Sequence, residues 1–210
     1  MLHGLNALAA TFARLTALCL MLAAAVSMFG LAPEPDPVPR RWQLDVSMGE
    51  LRMSAYRVGD KTQSFYFMTY KVTNNSGQDL LFAPSFEMAF GDGLPLRAGR
   101  GVPTEVTKAI IQRLDNKFIQ DQINIIGPIL QGPENAKEGV VIWQAENVKP
   151  QKLAVYAAGF SGETATIQIP NSEDKVILRK TLQLNYEIEG EMAGRGDKPI
   201  ALSNQRWIMR

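Results

Sequence analysis

Residues 70–82 read YKVTNNSGQDLLF. Tyr70 and Val72 alternate with Lys71 and Thr73 on the way in, and Leu80 and Phe82 lead out. Between them, Asn74-Asn75-Ser76-Gly77 brings together residues that tolerate positive φ. The stretch predicts two strand ends around a tight turn, and so an antiparallel β protein.

Working outward, the period stays near two. Ser64–Thr73 (SFYFMTYKVT) is rich in aromatic and β-branched residues, as strands are, and Tyr66, Met68, Tyr70 and Val72 fall on one face. Upstream, Trp42, Leu44, Val46 and Met48 alternate with polar residues, Gly49-Glu50 interrupts, and Leu51, Met53 and Ala55 resume. Downstream, Leu80–Phe90 is expected as the return strand, broken at Pro84, which cannot donate to a ladder. Pro133–Gly139 reads as a loop. Val140-Val141-Ile142-Trp143 is a continuous apolar run that suits a strand buried on both faces. Lys152–Phe160, Thr164–Ile169, Leu182–Ile188 and Arg206–Arg210 complete a set of seven to nine short strands, which predicts an all-β, antiparallel β-sandwich.

Residues 103–130 break the pattern. Pro103-Thr104 opens a helix, with Val106, Ile110 and Leu114 on one face. Phe118, Ile119, Ile123 and Ile126 continue an apolar stripe to Gly127-Pro128. A helical insertion packed against the sheet is expected here.

VTNNSG (72–77), then Gly91-Asp92-Gly93, a variable middle, and NAKEGVVIW (135–143) together resemble the Ig-like extracytoplasmic modules of the DUF4352 type. In that family a v-t-N-n-s strand end precedes a G-x-x-x-G-x-v-x-F strand. Here Gly139 matches the glycine before the strand, and Trp143 stands where an aromatic is usual. The resemblance covers residues 64–169 and implies an Ig-like sandwich; the insertion departs from the family's short pattern. The whole chain is also similar to uncharacterised membrane-anchored proteins of planctomycete-type bacteria, which imply no activity.

The N-terminus belongs to another class. Leu15–Ala32 is eighteen residues without a charge, preceded by Arg14, and no acid occurs before Glu34. Such a run is either a signal peptide or a short membrane-spanning anchor, and Arg14 keeps its N-terminal flank cytoplasmic. Ala23-Ala24-Ala25 and Ala25-Val26-Ser27 fit a cleavage site. The rest of the chain is then exported: single-pass at the cell membrane if the run is retained, secreted or periplasmic if it is cut. PEPDPVPRR (33–41) holds four prolines in nine positions and reads as an extended spacer. It leads to one sandwich domain over 42–210.

The single histidine, His3, and the single cysteine, Cys19, both precede residue 32. The exported part therefore has no Ser-His-Asp or Cys-His nucleophile, no histidine metal site and no disulfide. A net charge of +1 excludes a field for nucleic acid. No cofactor or metal is expected, and no catalytic residue stands out. Of Met48, Met53, Met68, Met88, Met192 and Met209, most fall at core-facing strand positions and read as core packing rather than as thioether ligands. Arg195-Gly196-Asp197 reads as a Gly-rich turn. The expected function is a non-enzymatic binding or structural module of the cell envelope with a protein partner. The insertion is its binding surface, and Arg97, Arg100 and Lys108 in a locally basic stretch that also holds Arg113 are the candidate contacts. The alternative is a carboxylate-dependent glycan hydrolase or a calcium-dependent glycan-binding domain. It would need two carboxyl groups within about 10 Å in a cleft.

Overall fold

The computed structural model describes residues 32–91, 93–145, 152–169, 172–188 and 196–210. The expected N-terminal hydrophobic helix lies outside the described residues. So do Asp92, Met192 and Arg195.

β1 (Asp45–Val58) and β2 (Lys61–Asn74) form a hairpin in which Val58 and Lys61 pair across Gly59-Asp60. Gly59 takes φ 58°, a left-handed backbone that costs glycine little. The pairing slips between Met48 and Leu51, so Gly49-Glu50 is a β-bulge. β8 (Gly132–Gln144) takes the other edge of β2, and the short β6 (Ile119–Gln120) ends this four-stranded sheet by pairing in parallel with β8. The second sheet runs β10 (Thr164–Gln168), β11 (Lys175–Glu187), β9 (Lys152–Ala158), β4 (Ser85–Phe90), β5 (Leu96–Arg97), with β12 (Leu202–Met209) also on β11. β3 (Leu80–Phe82) and β7 (Gly127–Ile129) make a separate two-stranded ribbon.

The two sheets face each other over one core. Tyr66, Met68, Tyr70 and Val72 meet Phe86, Met88, Val155, Leu182 and Leu184 there, as the alternation in 64–73 predicts. The odd residues of β2, Phe65 and Phe67, are buried as well. With Val140 and Ile142 they form a second core on the outer side, closed by Val106 and Ile110 of helix α1 (Thr104–Leu114). The architecture of the described residues is thus a β-sandwich with a helix layered on it. The chain answers being covered twice with continuous apolar runs, FYFM in β2 and VVIW in β8.

Three expectations change. The 80–90 segment is not a return strand beside β2, because β1 and β8 already hold both edges of β2. β3 pairs with β7 instead, and β4 enters the opposite sheet. Pro133–Gly139 is strand, not loop; Pro133 and Glu134 are exposed and Asn135–Glu138 half-buried, so no apolar alternation marks it. The helix stops at Leu114, where Asp115 turns left-handed at φ 46° and the Asn116 side chain accepts the Phe118 N–H at 2.9 Å. Phe118, Ile123 and Ile126 therefore leave the helical stripe and stand exposed.

What turns the chain after β2 is the side chain of Asn74, which is fully buried. Its amide nitrogen donates to Gln78 O at 2.8 Å and to Ile129 O at 2.9 Å, and its Oδ1 accepts the N–H and hydroxyl of Ser76 at 3.1 and 2.7 Å. One side chain thus folds the turn and ties it to β7. Replacing Asn74 by alanine removes all four bonds and leaves the buried Ile129 carbonyl without this donor, and is expected to cost about 2–4 kcal/mol, measured as a lowered midpoint in urea. Gly139→Ala would set a Cβ 2.5 Å from the Tyr70 ring and 2.7 Å from Ile125. It is expected to cost about 1–3 kcal/mol by overpacking in the same assay.

Candidate functional site

β5 ends at Arg97, and the chain then crosses between the sheets. Ala98 N–H donates to Phe86 O in one sheet at 2.9 Å, and Gly99 N–H donates to Ile142 O in the other at 2.7 Å. Gly99 and Gly101, at φ 76° and 72°, let this turn deliver the chain to Pro103. Pro103 occupies the position before helix α1, and its ring, which has no hydrogen-bonding atom, does not cap it. Beyond the helix, Asp121 Oδ1 accepts the N–H groups of Ile123 and Asn124 at 2.8 and 2.9 Å. That turn buries Ile125 and leaves Ile123 outside.

Between the 98–102 turn, the helix and the 121–123 turn lies a crevice of about 180 Å³. Val140 and Ile142 line it from the sheet, with Val102, Thr104 and Thr107 on one side and Gln122 on the other. Gln122 also lines a neighbouring cavity of about 160 Å³ with Tyr70, Phe86 and Arg97. Burial pushes the Tyr70 phenol well above its ordinary value of 10.0, so it stays neutral.

The candidate basic residues are divided by this geometry. Arg97 lies on β5, 3.6 Å from Glu87. Glu87 also holds Arg210 at 2.6 Å. Arg100 is exposed in the turn between the crevice residues Gly99 and Val102. Lys108 is exposed one helical turn after Thr104. Arg113 is taken up internally, paired with Asp197 and donating to Ser54 Oγ at 3.0 Å. Asp197, the acid of the Arg-Gly-Asp turn, is thereby a clasp from the 196–201 segment onto the helix and β1. Among the described residues, no three acids, histidines or cysteines gather as a metal site, and no helix is long and apolar enough to cross a membrane.

Two features escaped the sequence reading. The first is a buried ion pair. β9 and β10 lie end to end along one edge of β11, and residues 159–163 loop out between them. Glu163 sits in that loop, and Lys180 of β11, 3% exposed, reaches its Oε2 at 2.8 Å. The Asp36 N–H donates to Glu163 Oε1 at 2.7 Å, and Lys180 Nζ donates to Asp36 O at 3.2 Å. The proline-rich stretch is therefore fastened to the domain at Asp36. Leu44 and Trp42 follow it in, bonded to Phe160 and Gly162 of the same loop. Nothing in the spacing of Glu163 and Lys180 marks the pair, since loop and strand meet only in the fold.

The second is the ribbon. Leu80, Phe82 and Ile129 point inward, and Phe82 packs on Phe160 with ring centroids 5.4 Å apart. Leu81 and its partner Pro128 point outward, flanked by Ile126 and Leu130. Taken against family models, curated proteins and solved structures, the chain matches none.

Burial opposes ionisation of Glu163, but the Lys180 ammonium and the Asp36 N–H, helped by Arg40, outweigh it and hold the carboxyl below its ordinary value of 4.5. The stability this gives is complete above about pH 4.5 and is lost as pH falls through the lower native value. Melting temperature followed by circular dichroism is expected to drop on that acid limb. Glu163→Gln is expected to melt lower at neutral pH and to flatten the limb.

Proposed function

We propose that this chain is an exported, membrane-held binding module of the cell envelope: an Ig-like sandwich that captures a protein partner through its 97–130 insertion. The observation that carries this reading is the crevice beneath α1. It has an apolar floor of Val140 and Ile142, and Arg100 and Lys108 beside it carry charges that no described acid pairs. Pockets of this kind receive one anchoring side chain, and a rim of charge selects what approaches. The partner segment is accordingly an apolar anchor flanked by acids. The uncharged run 15–32 supports retention at the membrane, and the lack of histidine and cysteine beyond it supports a holding role over a chemical one.

The test is crosslinking of the full chain in envelope preparations of its host, with capture read by mass spectrometry. Arg100→Glu with Lys108→Glu is expected to lower recovery of the main captured protein at least about tenfold, the effect of losing about 1.4 kcal/mol. Both residues are exposed, so the fold is expected to survive, with a melting temperature close to wild type. Unchanged capture would remove the insertion as the binding surface.

A further inference from the structure

We infer that the end of the sandwich where the chain comes in is a lipid-contacting surface, with the outer face of the β3–β7 ribbon resting in the interfacial layer of the bilayer.

Three attachments converge on the 159–163 loop. Asp36 is bonded to Glu163, Leu44 is bonded to Phe160, and Phe82 of the ribbon packs on Phe160. The ribbon and the incoming chain are thus neighbours at one end of the molecule. Asn74 and Gly132, paired there, mark the same end of the other sheet.

That end carries much of the exposed apolar surface. On the ribbon, Leu81 is 75% exposed opposite its exposed partner Pro128, and Ile126 and Leu130, the residues that flank β7, are 52% and 48% exposed. Ile177, 62% exposed, lies on the β10–β11 hairpin that extends past Lys180, and Val38 lies in the proline stretch. An antiparallel pair with both inner and outer faces apolar needs a second cover. Here the chain itself limits what the cover is. The uncharged run ends at Ala32, and four residues later Asp36 is fixed to Glu163; four residues reach at most about 14 Å. A domain held this short by a run in the bilayer keeps this end at the lipid. Its exposed charges are of both signs, with Asp79 and Glu134 near the ribbon, Arg40 in the proline stretch and Lys175 at the start of β11, so the contact is with the apolar interfacial layer and does not need anionic lipid.

This inference rests on the proposed retention of residues 15–32, and the test separates the two. The full chain with Cys19→Ser would carry single cysteines at Leu81, Leu130 or Leu202, labelled with an environment-sensitive fluorophore. It would be reconstituted into phosphatidylcholine vesicles with and without brominated acyl chains. Leu202, at the start of β12, is the exposed apolar control at the opposite end. The expected result is a blue shift and bromine quenching at 81 and 130, with the 202 label remaining as in water. If the chain floats with vesicles but 81 and 130 stay as wet as 202, the surface is wrong and the anchor stands. If the chain does not float, both fall. A blue shift at 81 and 130 that needs no vesicles and grows with protein concentration overturns lipid contact in favour of a second copy.

Discussion

The side chain of Asn74 decides where the chain goes after its most buried strand. A backbone leaving β2 has nowhere to pair, because hydrogen-bonded neighbours occupy both edges. One buried amide makes four hydrogen bonds, two donated to Gln78 O and Ile129 O and two accepted from Ser76, and so holds the turn in shape. They also fix the ribbon to the turn through Ile129. From there the chain can cross to the second sheet as β4, and the two layers become a sandwich rather than one extended meander.

β2 shows how far such a fold is legible in advance. Its aromatic alternation named the residues of the main core, and the run VVIW announced a strand covered on both sides. Both follow from local periodicity, which burial imposes directly. The destination of Leu80–Phe82 was not legible. Its alternation is the same whether it pairs with β2 or with β7, and only the occupied edges of β2 separate the two. The stripe at 118–126 misled for a related reason. Its apolar spacing continues that of α1, but Asp115 and Asn116 stop the helix, and the apolar residues beyond it are spread over a turn and a ribbon.

Of the candidate site, the position on the insertion was readable and the division of labour among its cations was not. Arg113 and Lys108 look alike in sequence, five residues apart on one helix. One is consumed by Asp197 from a distant segment, and the other forms no ion pair among the described residues. Glu163 and Lys180 make the same point inside the fold. A buried pair is a doubtful source of stability by itself, since desolvation offsets much of the attraction. Its evident product here is a joint that fixes where the proline stretch meets the domain.

The pairing pattern also has a bearing on time. β1 and β2 are joined by two residues and can close locally, within the microsecond range of hairpins. The rest of the frame cannot. β2 meets β8 through pairs such as Phe65 with Gln144, and β4 meets β9 through Ser85 with Ala158. Loops of that length are slow to close and are rewarded only when several strands arrive together. The doubly covered FYFM stretch therefore waits, with its aromatic residues unprotected on at least one side, until sequence far downstream has been made. Through that interval the exposed aromatic strand is where the unfinished chain is open to aggregation.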